Sequence, residues 1–324
     1  MEFTSSICLP VIGIVPHRII ADYGDDNMGN PFDHTSTSWV RYSQYEWKKG
    51  KDGHLYITPT KDASPKPYDP MKDAETLVMD AMDIALLCYH KKPDKQIQSA
   101  LLRFARNYGL LGLMTALPTT ANFMEYDKVY LLKNQFIKKE IMETREYVSL
   151  FFPFSELDYW KEGRNSSLTL HDKAMIALML TYKSSPQALI MSLMRDYAER
   201  YDWLIEVFKD WAFVSFASLI YYHDYDILTE DDKSLYRRAM TVFDGNAPTY
   251  HIELWEHPTL VWDFHSLMLG IQMMFTFMLT DENNPLRLCE QCQKPFIARE
   301  SGDNCCSREC RKEYEREHQH PDKK

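Results

Sequence analysis

The chain has 324 residues, 45 per cent of them hydrophobic and only 11 of them glycine, a composition that excludes wholesale disorder and favours helices. Its formal net charge of −10 is unevenly placed, since residues 287–324 carry nine basic and eight acidic side chains whereas the first 286 residues carry 28 and 39. An acidic body of this kind repels nucleic acid over most of its surface.

Two features bear on location. The longest apolar run, residues 268–279, has twelve residues, and a membrane-spanning helix needs roughly 20. The start MEFTSSICLP lacks a basic segment followed by an apolar one, so we expect no secretory leader. We therefore predict a cytoplasmic protein without a membrane partner. In a reducing cytosol, clustered cysteines bind metal more often than they form disulfides.

The N-terminal segment, residues 1–65, is predicted to contain strands. ICLPVIGIV, residues 7–15, is a β-branched apolar run. SWVRYSQYEW and HLYITPT flank the polar turn KKGKDG, which is the pattern of a hairpin. The proline-rich segment KDASPKPYDP, residues 61–70, is predicted to be a connector.

Helices are predicted to dominate a second unit, residues 66–284. Asp69 before Pro70 is typical of a helix start, and apolar residues then recur at helical period. A second helix is predicted over residues 94–108, with Gly109 ending it. Further helices are predicted in four places. The aromatic segment 248–264, between the last two, is predicted to be a short hairpin or an extended segment. The four are the amphipathic region 125–152, the stretch from Ser185-Pro186 towards 222, the residues after the capping box at Thr229, and residues 266–279.

The third unit, residues 285–324, contains the stretch CEQCQKPFIARESGDNCCSRECRKEYE, which holds five of the seven cysteines. Cys289 and Cys292 are separated by two residues and can face one ion. If RECRKEYEREH is a helix, Cys306 and Cys310 lie about 40° apart around its axis, whereas Cys305 and Cys310 lie about 140° apart. The predicted ligands are therefore Cys289, Cys292, Cys306 and Cys310, and Cys305 is a spare thiol.

The resulting pattern, C-x2-C-x13-C-S-x2-C-R, resembles a widespread bacterial treble-clef finger that reads C-x2-C-x3-F, an aromatic residue, and C-S-x2-C-R. Phe296, Ser307 and Arg311 match it beside the four cysteines, and Cys305 replaces the aromatic residue. The chain resembles the CGNR zinc-finger family of stress-linked bacterial regulators, although no C-G-N-R sequence is present. The resemblance, confined to residues 285–324, implies a regulator that contacts nucleic acid. The predicted fold class is mainly α (α+β), with a helical body, a small β-containing N-terminal part and a treble-clef finger.

Four cysteines in two close pairs predict zinc, which prefers a tetrahedron of soft or borderline ligands. A catalytic zinc keeps one position open for water, whereas four thiolates close the shell. We therefore predict a structural zinc site; a redox pair or a vicinal disulfide is the alternative.

The finger is also rich in basic residues, and two roles remain open for it. One is phosphate contact with DNA or RNA. The other is a cap on the helical domain or an interface with a protein partner or a second copy, since acidic residues alternate with the basic ones on the predicted helix. The candidate nucleic-acid contacts are Lys294, Arg299, Arg308, Arg311, Lys312 and Arg316.

An enzyme is the least favoured interpretation. His171-Asp172 and His223-Asp224 are residue types found in metal-dependent hydrolases, but Asp172 completes a capping box with Thr169, and His223 suits a helix C-terminus. No phosphate-binding loop, nucleophile elbow or kinase motif is present. The two-glycine stretch FARNYGLLGLMTALP is predicted to be a packed turn, with a ligand-facing kink as the alternative. The aromatic run from Tyr250 to Phe264 is predicted to be core or a dimer interface, with stacking on bases or a small ligand as the alternative.

Overall fold

The structure, a computed structural model, describes residues 35–117, 126–131, 135–154, 194–240, 249–254, 258–281, 285–300 and 302–319. Its helices within these ranges are α1 (Ala74–Tyr89), α2 (Asp94–Tyr108), α3 (Leu113–Ala116), α4 (Thr144–Ser149), α5 (Tyr201–His223), α6 (Glu230–Met240), α7 (Leu267–Thr280) and α8 (Arg308–Gln319). The strands of the same ranges are β1 (Thr35–Thr37), β2 (Trp39–Tyr42), β3 (Tyr45–Lys49), β4 (Leu55–Pro59), β5 (Pro65–Tyr68), β6 (Lys128–Tyr130), β7 (Ile141–Glu143), β8 (Glu199–Arg200), β9 (Thr249–Leu254), β10 (Pro258–Asp263), β11 (Leu286–Leu288) and β12 (Pro295–Ile297). The predicted α+β class, with a helical body and small sheets, is confirmed.

Several helix ends lie where local chemistry places them. The Asp69 side chain accepts a hydrogen bond from the Met71 N–H at the start of a 3-10 turn that leads into α1. Helix α2 spans the predicted residues, and α6 begins after Thr229, whose hydroxyl accepts a bond from the Asp232 N–H. Ser266 caps α7 by accepting from the Leu269 N–H. These predicted helix starts are confirmed.

The strands join distant parts of the chain. The predicted hairpin of β3 and β4 is present, and β4 also pairs with β8, more than 140 residues later. Strand β1 pairs in parallel with β10, which forms the predicted hairpin with β9. The N-terminal strands are thus sheet partners of segments from the helical unit.

The core lies between α1, α5 and α7. Leu77, Val78 and Ala81 of α1 are fully buried, as are Phe208 of α5 and Phe275 of α7. Helix α5 runs through this core and also contacts α6 and β11, so that it reaches the C-terminal segment directly.

Three predictions about local structure are wrong. Region 125–152 is not a continuous helix, because β6 and β7 pair antiparallel and turn Val129 and Met142 towards each other and the core, with the side-chain alternation of strands. Residues 194–200 are not helical, so α5 begins only at Tyr201. The connector at 61–70 contains β5, which pairs with β2 alone; an edge strand of this kind tolerates its two prolines.

Other expectations lie outside the described residues: the apolar run at 7–15, the capping box at Thr169 and Asp172, and the helix start at Ser185-Pro186. Within the described ranges, none of the helices is long and apolar enough to cross a membrane.

Candidate metal centre

The C-terminal segment folds around a short hairpin. Strands β11 and β12 pair antiparallel, and the knuckle that holds the first cysteine pair joins them. The knuckle is closed by a hydrogen bond from the Cys289 N–H to the Lys294 carbonyl at 2.9 Å, and Gln293 adopts a positive φ of 57° within it. The two strands therefore flank the knuckle.

Helix α8 supplies the second cysteine pair. The Ser307 hydroxyl accepts a hydrogen bond from the Cys310 N–H at 3.2 Å, which caps the first turn of the helix. Cys306 precedes this cap, and its own N–H donates to the Cys289 sulfur at 3.3 Å. The helix start therefore brings Cys306 and Cys310 to the knuckle.

The structure brings together the four sulfur atoms selected from the spacing. The thiols of Cys289, Cys292, Cys306 and Cys310 lie within 4.8 Å of one another. The Cys306 sulfur is 3.5 Å from that of Cys292 and 3.6 Å from that of Cys310. Tetrahedral Zn–S bonds of about 2.3 Å place sulfur atoms roughly 3.8 Å apart, whereas a disulfide requires about 2.05 Å. The cluster is spaced for an ion, and its cysteines are free.

The protein environment favours ionisation of one thiol. Burial opposes ionisation of Cys289, but the backbone N–H groups of Cys292, Cys306 and Gln291 point at its sulfur and lower its pKa to about 6. Burial and the shared hydrogen bonds raise the pKa of the Cys306 thiol in the same cluster. Metal binding displaces thiol protons, so an ion at this site would take the place of the protons that the cysteines carry without it.

Cys305, the fifth thiol, is buried and stands outside the group of four. Burial raises its pKa, and the neighbouring Cys289 adds to the effect. Its burial contrasts with the exposure of Cys306, the adjacent residue.

The finger, residues 285–319, is attached to the helical body by packing and by charge. Leu286 and Leu288 of β11 are only 5% and 7% exposed and belong to the same core as α5. The Arg299 guanidinium lies 2.5 Å from Glu75 of α1. The imidazole of His223, at the end of α5, lies 3.4 Å from Glu290 in the knuckle. Hydrogen bonding to Asp224 raises the pKa of His223, which favours the charged form beside Glu290.

Comparison with protein-family models, with curated proteins and with solved structures finds no match. The site and its surroundings are therefore interpreted from their own geometry.

Carboxylates engage half of the six basic residues predicted to contact nucleic acid. Arg311 lies 2.6 Å from Asp303, Arg316 lies 3.7 Å from Glu313, and Arg299 is paired with α1. The other three are exposed and form no ion pair among the described residues; they are Lys294, Arg308 and Lys312.

Of the two histidine-aspartate pairs, His171-Asp172 lies outside the described residues. Among the described carboxylates, His223 contacts Asp224 and Glu290. Within the described part of the chain, the cysteine cluster is the one group of three or more ligand side chains at metal-binding distance.

The sequence reasoning missed the residues that attach the finger. Glu290 lies between Cys289 and Cys292 in the sequence, and this position could have indicated that it contributes to the knuckle. Leu286 and Leu288 alternate with Arg287 in the way a half-buried strand does. Glu75 had no local signal, since its partner is 224 residues away.

Proposed function

We propose that this protein is a non-enzymatic regulator in which a structural zinc site holds a C-terminal finger against a helical binding domain. The observation that carries the proposal is the continuity of the core. Leu286 and Leu288 lead into the first ligand, Cys289, and pack with α5. A metal that fixes the knuckle also fixes these two leucines in the body.

Zinc is the metal that the ligand set favours. Four thiolates are soft ligands, and a tetrahedral all-sulfur site suits zinc or iron. Because four protein ligands leave no position for water or substrate, the ion would stabilise the fold and not activate a reactant.

Removal of the metal tests this role. We expect about one zinc per chain by elemental analysis, as a single four-cysteine site holds one ion. After chelation, amide hydrogen exchange should accelerate in β11 and also at the C-terminal end of α5, because β11 packs on α5 and the knuckle contacts His223 at that end. Helix α2, which packs on α1, β2 and β3, provides the internal control. Faster exchange in the finger with unchanged exchange in α5 would contradict the proposal.

A second candidate function is nucleic-acid binding, supported by the three unpaired cations of the finger. Arg308 and Lys312 are four residues apart on α8, so they share one exposed face of the helix. Lys294 projects from the knuckle region as a further exposed cation. Such residues suit phosphate contact, although the acidic body limits the binding surface.

A salt titration with mixed-sequence DNA and RNA tests the second candidate. The Arg308→Ala/Lys312→Ala variant should bind more weakly, with a log–log salt slope shallower by about 1.8 on duplex DNA, because each lost phosphate contact removes about 0.9. The Arg299→Ala/Arg311→Ala variant is the matched control: it removes the same charge from positions already paired with carboxylates. Equal slopes in the two variants, or no binding at low salt, would exclude this function.

A further inference from the structure

Helix α5 carries a second apolar stripe, which is exposed or only partly buried against the core. Its first stripe includes Leu204, Phe208 and Trp211 and is buried. A different stripe runs through Phe213, Phe216, Ala217 and Ile220, at intervals of three, four and seven residues, and so lies along one side of the helix. Phe213 is a large apolar side chain of this stripe, yet it is 58% exposed. A surface helix normally carries polar residues opposite its buried face, so this second stripe requires a partner.

The second stripe forms the floor of a cavity. The volume is about 510 Å³, and the walls come from α1 on one side and α6 on the other. Leu86 belongs to the α1 wall and Leu235 to the α6 wall. Leu235 is 67% exposed. Burying a side chain of this size is favourable by about 1.5–3 kcal/mol, so an apolar group that covers Leu235 would gain from the contact.

The chemistry of the lining restricts what can bind. Among the described residues that line the cavity there is no Asp, Glu, Lys or Arg, and the hydrogen-bonding side chains are those of His90, Tyr89 and Tyr236. A charged ligand would lose its hydration without finding a counter-charge, which is strongly unfavourable. An uncharged molecule with an apolar body and one or two polar atoms would satisfy both parts of the lining.

We propose that this cavity binds a small, uncharged, mainly apolar molecule with aromatic or aliphatic character. Its volume lies within the range of about 300–1,000 Å³ that is usual for small-molecule sites. The inference rests on the proposed function in one respect, the assignment of a binding role to the helical body. It does not require the metal to take part in binding.

N-phenylnaphthylamine, a neutral three-ring aromatic amine whose fluorescence rises in apolar surroundings, is a suitable probe. Titration of the zinc-loaded full chain should give a saturable rise with one site per chain. Calorimetry over a range of temperatures should give a negative heat-capacity change, which accompanies burial of apolar surface.

Two variants locate the probe. Ala217→Trp fills the cavity from its floor and should weaken binding at least about tenfold, a loss of about 1.4 kcal/mol. Leu235→Lys introduces a charge on the exposed α6 wall, with little risk to folding, and should weaken binding similarly. Ile227→Trp is the matched control, because Ile227 is 79% exposed and does not line the cavity. This variant should bind the probe as the unaltered chain does.

Three outcomes would overturn the proposal. The first is no saturable binding by the unaltered chain. The second is equal weakening by Ala217→Trp and Ile227→Trp, which would indicate a non-specific surface. The third is a dimer, measured by sedimentation, that excludes the probe and dissociates in the Leu235→Lys variant, since a second copy would then cover the stripe.

The same samples separate this inference from the proposed function. Loss of probe binding in a chain that keeps its zinc and its exchange protection in α5 would reject the cavity alone. Normal probe binding in a chain whose α5 does not respond to metal removal would reject the structural role of the finger alone.

Discussion

The Cys306→Ser variant is expected to lose its metal and to unfold at its C-terminal end, although Cys306 is exposed. Structural zinc sites supply about 10–16 kcal/mol in isolated fingers, and three remaining thiolates do not close the tetrahedron. We expect the free energy of unfolding to fall by more than about 4 kcal/mol, the range typical of a lost metal site. Elemental analysis and denaturant unfolding measure the two effects.

The Cys305→Ser variant is the matched control at the adjacent position. If burial alone set the loss of stability, Cys305→Ser would be the more destabilised variant, because Cys305 is buried and a hydroxyl is harder to bury than a thiol. We expect this variant to keep its zinc and to lose only about 1 kcal/mol. If Cys305→Ser lost the metal and Cys306→Ser retained it, the ligand set would be wrong.

The parts of the fold that could be predicted depend on short-range chemistry. Helix α2 ends at Gly109, which has a φ of 90° and whose added Cβ would lie 2.2 Å from the Val40 carbonyl oxygen. Only glycine fits both the left-handed backbone and this close approach. Helical period also selected Cys306 and Cys310, although Cys306 lies just before α8. The Ser307 cap and the bond from the Cys306 N–H to the Cys289 sulfur place the pair.

The parts that failed depend on partners distant in sequence. The sequence around Val129 does not predict a strand, because the pairing of Val129 with Met142 and its burial are set by the tertiary fold. The partners of the basic residues in the finger could not be predicted for the same reason. Arg299 was expected at a phosphate, yet its carboxylate partner is Glu75 in the first long helix. Local spacing predicts which residues share a face, but not what that face contacts.

Glu199 is another residue whose role depends on partners distant in sequence. Its side chain accepts hydrogen bonds from the turn between α2 and α3. The turn, residues 109–113, leaves backbone N–H groups that no helix satisfies. The Glu199 carboxylate, 0% exposed, accepts bonds from the Leu113 N–H at 2.8 Å and the Leu111 N–H at 3.0 Å. The Tyr197 hydroxyl donates to the same carboxylate at 2.9 Å. Burial raises the pKa of Glu199, and these donors oppose the rise.

The Glu199→Ala variant is therefore expected to be among the most destabilised single substitutions in the described part of the chain. It leaves three buried donors without an acceptor, at about 1–3 kcal/mol each, so we expect a loss of at least about 4 kcal/mol in denaturant unfolding. Glu199→Gln should lose less, about 2 kcal/mol, because one amide oxygen still accepts while its NH2 group faces a backbone donor.

Glu46→Ala on the exposed side of β3 provides the control for Glu199, and should change stability by no more than about 0.5 kcal/mol. A loss at Glu199 no larger than at Glu46 would mean that water satisfies the turn as well as the carboxylate does. The expected order, Ala worst and Gln intermediate, would instead show that acceptor geometry at this turn holds α2 and α3 against β8. Because β8 leads directly into α5, the Glu199 contacts would then also fix the start of α5. That helix forms the floor of the cavity and contacts the knuckle through His223.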